Sequence, residues 1–276
     1  MIRATATIEG PPFTFNVTVS GLAVYLDNWA VIELAKGDPS RRRRFVQTLH
    51  SGADLLFSVT NAAELSGPQG NSANFVRSFL DEIGPHWFPV ELDPYEVVKR
   101  EQNGDTSAGH CICERFMKDY FIDQFRECRP ASGKIIDLSQ DALRLGPVLE
   151  WVGPQRDSIR QGSADFDDAL IKRIMGYREE YLKKSGWLDE KFPILSFRAD
   201  MPATFAYIGL IRTLILESTQ GYQLKKGDGL DFCHAVMASA FASVAALDKQ
   251  WQRRVGSLPK PNGLAPFTLA WNSTKW

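Results

Sequence analysis

Cysteine and histidine are scarce in this chain, four of each in 276 residues. A chain this long has no need of a disulfide framework, so four thiols fit a reducing compartment. The one local invitation to metal is Gly109-His110-Cys111-Ile112-Cys113. No second Cys or His pair stands at ligand spacing from it, Cys128 and Cys233 are isolated, and a structural zinc needs four ligands. The cysteines are therefore read as packing residues.

Excess charge of either sign is missing too. A formal net charge of -1 excludes a protein that coats nucleic acid through bulk positive charge and leaves local basic patches open. Long apolar runs are lacking: 205–216 and 236–247 are each too short to cross a bilayer, and the first carries Arg212. The opening residues, MIRATATIEGPPFTF, contain no apolar core of signal-peptide length. The expectation is a soluble, cytoplasmic chain. Between Glu64 and Asp228 there is no internal repeat and no low-complexity tract. What remains, 44% hydrophobic and 24% charged, is globular material sufficient for one large domain or two small ones.

The stretch 225–251, KKGDGLDFCHAVMASAFASVAALDKQW, organises the rest. Its middle is dense in Ala, Met, Phe and Val to about Ser243, and 243–247 is a short apolar run that stops at Asp248, which reads as a buried helix feeding a buried strand. Asp228 and Asp231, three residues apart, share one face of the helix's first turn. A bland reading competes: Asp228 and Asp231 as an N-cap followed by an acid, and Asp248 as the cap of a last helix through Trp251 and Arg254.

Earlier segments repeat the pattern. Residues 1–20 alternate around Gly-Pro-Pro as a hairpin ahead of the main sheet. Residues 21–26 form an apolar strand ending at Asp27, and Asn28 begins a helix with Trp29, Ile32 and Leu34 on its apolar face. Asp27 is either an Asx-turn or cap, or a site residue. Ser40 stands as a cap before Arg41 to Arg44, a solvated face or a phosphate-contact patch. A second strand, 54–59, turns straight into a helix at 60–65. There Asn61 and Glu64 are either a capping box or leave Glu64 reaching across the sheet edge toward Asp27. A third strand, 86–92, precedes a helix opened by Asp93-Pro94 and running to about Glu101.

The long middle is helix-like at 114–125, 141–151, 167–183 and 205–217, with loops at 102–109, 152–164 and 184–202. The tail passes through Pro259-Lys260-Pro261-Asn262-Gly263 into PFTLAW, a last short strand. The organisation expected is a hairpin extension (1–20), an α/β domain (21–101 and 218–276), and a helical insertion or cap over the sheet edge (102–217).

Strand ends at Asp27 and Asp248, a helix after a strand carrying Glu64, and a helix start carrying Asp228 and Asp231 together suggest a metal site at the C-terminal edge of a parallel sheet. Crowded carboxylates repel one another unless a cation compensates. Hard oxygen ligands without a Cys or His pair favour Mg²⁺ or Mn²⁺.

In VYLDNWAVIEL, SVTNAAELSG and GDGLDFCHAVMASAF followed by AALDKQW, the chain resembles the PIN-domain nucleases, in the Gly-Asp-x-x-Asp-x-x-His variant of some PIN-like proteins. The resemblance implies a three-layer α/β/α fold with a parallel sheet, here enlarged by the insertion, and Mg²⁺- or Mn²⁺-dependent hydrolysis of phosphodiester bonds, in RNA before DNA. Asp27, Glu64, Asp231 and Asp248 fall on the family's catalytic, metal-holding acids, with Asp228 as an additional metal-site acid and His234 as the variant's histidine. Asn28 stands where the family usually has Thr or Ser, and the middle is far longer than the usual connection.

Asn28, Lys225, Lys226 and His234 are the candidate substrate-facing residues, with Arg212 close in sequence. The alternatives are a solvated pair for the lysines and a core residue for His234. A toxin or defence effector, with a protein inhibitor or antitoxin as partner and self-association into a homo-oligomer, belongs to the same expectation. The competing function is a catalytically inactive PIN-like scaffold or RNA-binding module, against which the four intact acids count. A haloacid-dehalogenase-type enzyme also begins with strand and Asp, but needs a second Asp where this chain has Trp29.

Overall fold

The computed structural model describes residues 2–6, 14–17, 22–67, 70, 73–105, 111–116, 119–120, 123, 136–137, 144–259 and 267–270. The chain divides into two compact units: unit 1 comprises Met1–Val90, Ile112–Asp157 and Ser273–Trp276, and unit 2 comprises Glu91–Cys111 and Ser158–Asn272.

In unit 1 the N-terminal hairpin forms as expected. Strand β1 (Ile2–Ala6) pairs antiparallel with β2 (Thr14–Val17), Ile2 opposite Val17, and the Gly-Pro-Pro turn lies outside the described residues. A two-residue strand, β6 (Ile136–Asp137), joins antiparallel to the other side of β1.

The second sheet of this unit is parallel, in the order β5 (Trp87–Pro89), β4 (Ala53–Phe57), β3 (Leu22–Leu26), with Leu22 opposite Ala53 and Leu55 opposite Trp87. Every residue of β4 is buried, and so is all of β3 except Leu22. Burial on both faces is why these strands read as continuous apolar runs instead of alternating ones. Strand β5 is shorter than the 86–92 expected, because Val90 leaves it to bridge Ile112.

Helices α1 (Asn28–Lys36), α2 (Pro39–His50), α3 (Val59–Leu65), α4 (Ala73–Ile83) and α6 (Leu145–Val152) pack in this unit. The core face of α1 is Ala30, Val31, Leu34 and Ala35, so Trp29 and Ile32, placed on it from sequence, are only half-buried. The cap of α2 is Asp38, not Ser40: its carboxylate accepts from Ser40 N at 2.8 Å and Ser40 Oγ at 2.6 Å. Pro39 takes the first helical position, where a missing N–H costs nothing. Helices α4 and α6 approach so closely at Gly146 that a Cβ there would overlap the Asp81 carboxylate, whose Oδ1 accepts from Gly146 N at 3.0 Å.

Unit 2 contains α5 (Pro94–Gln102), the bulk of α7 (Arg156–Lys183), α8 (Trp187–Lys191), α9 (Pro202–Thr219), α10 (Asp228–Phe241), β7 (Val244–Leu247), α11 (Lys249–Gly256) and β8 (Phe267–Ala270). Strand β8 pairs parallel with β7, Val244 opposite Phe267. Helix α9 packs against α5 and α10 and buries ten residues, including Phe205, Leu210, Ile211, Leu214 and Ile215.

Of the loop expected over 152–164, Val152 ends α6, Gly153–Gln155 is a 3₁₀ turn, and the remainder is the first part of α7. Of that helix's 28 residues only Asp167, Leu170 and Ile174 are buried, so its exposed start carries no apolar period for the sequence to display.

Parallel strands with helices packed around them make this an α/β protein. Among the described residues no helix is long and apolar enough to cross a membrane.

Candidate functional site

A parallel sheet gathers the residues that follow its strands at one edge. In unit 1, β3 ends at Leu26 and the next residue, Asp27, has an extended backbone and caps α1, its Oδ1 accepting from Asn28 N at 2.7 Å. Strand β4 ends at Phe57, and Ser58 caps α3.

The capping box of α3 is closed by Ser58 and Asn61, not by Asn61 and Glu64. Ser58 Oγ accepts from Asn61 N at 3.1 Å, and Asn61 Oδ1 accepts from Ser58 N at 3.0 Å and from Ser58 Oγ at 2.9 Å. A box spans cap and third helical residue, and the cap lies three residues earlier than the Asn61–Glu64 box suggested, because Val59 is helical instead of part of the strand. Glu64 is thereby left out of the cap. It is exposed, and it accepts a hydrogen bond from Asn28 Nδ2, while Asn28 Oδ1 accepts from Asn61 Nδ2 at 2.9 Å. The amide of Asn28 thus ties the neighbour of Asp27 to both Asn61 and Glu64.

Asn61 is fully buried. Asn28→Ala should strand its amide donor and cost about 1–3 kcal/mol, measurable by urea unfolding; a change near zero would mean that the bridge positions nothing.

In unit 2, α10 starts from Gly227, whose φ of +99° would strain any residue with a side chain. Asp228 is not the N-cap. It is the first helical residue, buried, and its Oδ2 accepts from Lys225 N at 2.7 Å and Tyr222 Oη at 2.8 Å, fastening the turn ahead of the helix. The cap comes from α7. Asp167 Oδ2 accepts from Gly227 N at 2.7 Å, and its Oδ1 from Gly229 N at 2.8 Å and Leu230 N at 3.1 Å. A Cβ on Gly229 would lie 2.7 Å from that carboxylate oxygen, so the sequence's second glycine admits the cap.

Asp231 stands one turn into α10 and is half-buried. Asp248 caps α11, Oδ1 accepting from Gln250 N and Trp251 N at 2.8 Å each, as the bland reading anticipated. A two-residue link turns the chain from α10 back into β7. The rise from Asp231 to the helix end is about 15 Å, and that from Val244 to Asp248 about 13 Å. Asp231 and Asp248 therefore lie at the same end of this helix-strand pair. Helix α11 is anchored there by Arg254, whose guanidinium is stacked between Tyr222 and Trp251 and bonds Glu217 Oε2 at 2.9 and 2.7 Å.

His234 is half-buried by exposed area yet closely surrounded, and burial pushes its imidazole down to about 4. At neutral pH it is a neutral hydrogen-bonding group, not a cation. Between the ordinary value of 6.5 and about 4 the unfolded chain holds a proton that the folded chain lacks. Stability present above pH 6.5 is therefore lost as pH falls through that window, by about 2 kcal/mol at most when pH 5 is reached. Urea midpoints compared at pH 7.5 and pH 5 should show the loss, and His234→Gln should flatten it; an unchanged slope in the variant would assign the acid sensitivity to other groups.

Lys225 and Lys226 are exposed. Arg212 is committed elsewhere: its guanidinium donates to Leu188 O and Phe192 O and pairs with Asp189 at 2.8 Å, holding α8 against α9.

Three acids of unit 2 were not singled out as site residues from sequence. Buried Glu101 caps α9, accepting from Ala203 N at 2.8 Å, Thr204 N at 2.7 Å and Thr204 Oγ1 at 2.6 Å. Asp167 does the same for α10. Asp93, half-buried, caps α5 through Tyr95 N at 2.9 Å, and burial raises its carboxyl above the usual range. Only Asp93 carried a sequence signal, the Asp-Pro of a helix start.

Cys111 and Cys233 are buried as packing residues, with burial pushing the Cys111 thiol up to about 12; His110 and Cys128 lie outside the described residues. Among the described residues no group of three or more His, Cys, Asp or Glu side chains is placed to hold a metal ion. No family model matches the chain, and no curated protein or solved structure matches it either.

Proposed function

We propose that the chain is a divalent-metal-dependent nuclease with a PIN-like, three-layer α/β/α arrangement, hydrolysing phosphodiester bonds in RNA before DNA. Asp27, Glu64, Asp231 and Asp248 are the acids assigned to Mg²⁺ or Mn²⁺, with Asp228 holding the turn behind Asp231. The observation that carries the reading is the release of Glu64 from its own helix cap and the hydrogen bond it accepts from Asn28, the residue beside Asp27.

By ligand type the acids suit a hard cation, since all are carboxylate oxygens. A bound ion would lower the pKa of an attacking water and neutralise charge on the phosphate. The chain's own part is positional: Asn28 orients Glu64, neutral His234 donates a hydrogen bond to a phosphate oxygen, and exposed Lys225 and Lys226 offset substrate charge.

Incubation of the purified protein with single-stranded and structured RNA and DNA, in Mn²⁺, Mg²⁺ or EDTA, tests this. The expected result is a product ladder on RNA that needs the metal. RNA bound but intact under every condition would replace the enzyme with an RNA-binding module.

A further inference from the structure

We propose that unit 1 carries a cleft for single-stranded nucleic acid between the end of α1, the start of α2 and α4, where Lys36 and Arg43 hold phosphates and Phe75 stacks on a base. The cleft has a volume of about 740 Å³ and is lined by Lys36, Arg42, Arg43, Phe75 and Glu82, among others.

Its acid is neutralised from within. Arg42 binds Glu82 in a two-pronged pair, Nε to Oε2 at 2.8 Å and a terminal nitrogen to Oε1 at 2.5 Å, and lies over the Phe79 ring. Lys36 and Arg43 are exposed and make no ion pair among the described residues. The cleft therefore keeps two uncompensated positive charges in a chain whose formal net charge is -1.

Phe75 is 54% exposed. An aromatic face beside two unpaired cations suits an unstacked base with its flanking phosphates, and it reads no particular base because every base offers a π-face. A duplex keeps its bases stacked inside and cannot use the ring. Ribose and deoxyribose strands share both features. Lys36 is about 12 Å along α1 from Asn28, so the cleft lies at the far end of that helix from Asp27. The arginine run thus divides by role, Arg42 serving the fold and Arg43 the ligand.

The test is fluorescence anisotropy of labelled 12-nucleotide single-stranded RNA and DNA of one sequence, and of the RNA duplex, with the full chain in EDTA. Both single strands should bind more tightly than the duplex. Phe75→Ala should weaken single-strand binding about 5- to 150-fold with unchanged melting temperature and unchanged salt dependence, and Phe75→Trp should restore it. Lys36→Ala with Arg43→Ala should lower the slope of log K against log salt by about 1.4. Unaltered affinity in Phe75→Ala, or duplex bound as tightly as single strand, overturns the cleft. Because EDTA removes cleavage from the measurement, a protein that binds in this way but never cleaves loses the nuclease reading alone. One that cleaves with Phe75 irrelevant to binding loses the cleft alone.

Discussion

Asp231→Asn is expected to reduce metal-dependent cleavage by about 100-fold or more while leaving the metal-free protein as stable as the wild type, or slightly more so. Partners of metal ligands already change metal affinity or activity by about 10- to 100-fold when altered, and Asp231 is assigned to the ion itself. Asn keeps the size of the side chain but removes the charge and one strong ligand oxygen. For folding the swap is mild, because the terminus of α10 is capped by Asp167 and its preceding turn is held by Asp228. The loss of a favourable interaction with the helix dipole costs about 0.3–1 kcal/mol. Relief of repulsion from the neighbouring acid offsets it. Cleavage assays in Mn²⁺ and thermal melts in EDTA read the two effects separately. A variant that cleaves normally but melts early would make Asp231 a helix-terminus residue and nothing more.

Asp167→Ala should have the largest effect on folding. The carboxylate is 1% exposed and accepts three backbone N–H groups at the start of α10. Hydrogen bonds to a charged group contribute about 1.5–3 kcal/mol each, and buried donors left without a partner add the cost of their lost hydration. A destabilisation of about 3 kcal/mol or more follows, seen as a lower urea midpoint. Asp167→Asn, with one good acceptor oxygen, should fall between. A loss below about 1 kcal/mol would mean that water reaches the terminus and the cap is redundant. Because Asp231 lies one turn from those three amides, the same substitution should weaken cleavage through the position of α10, and Asp167→Asn should restore part of it.

Much of the fold was legible because its signals are local. Continuous apolar runs marked β3, β4 and β7 as strands buried on both faces, the Asp-Pro pair marked the start of α5, and Asp248 announced itself as the cap of α11 by its place between strand and helix. The same logic put Asp27 and Glu64 after successive parallel strands, hence at one edge of the sheet of unit 1. The start of α7 was illegible because an exposed helix with three buried residues has no apolar stripe to read.

The sequence by itself determined where β3 and β7 end and where α1, α5 and α11 begin, since chain direction and apolar period are written into neighbouring positions. Only the tertiary structure decided what each carboxylate does there. Local spacing allowed Asp228 to cap α10, but the cap is supplied by Asp167, sixty residues before Gly227, and Asp228 was left to hold a turn. Local spacing allowed Glu64 to close its own capping box, but Asn61 closed it from the buried side, and the side chain of Asn28, thirty-six residues away, took Glu64. Each helix end must find acceptors for its first N–H groups, and which acceptor arrives depends on packing between distant segments.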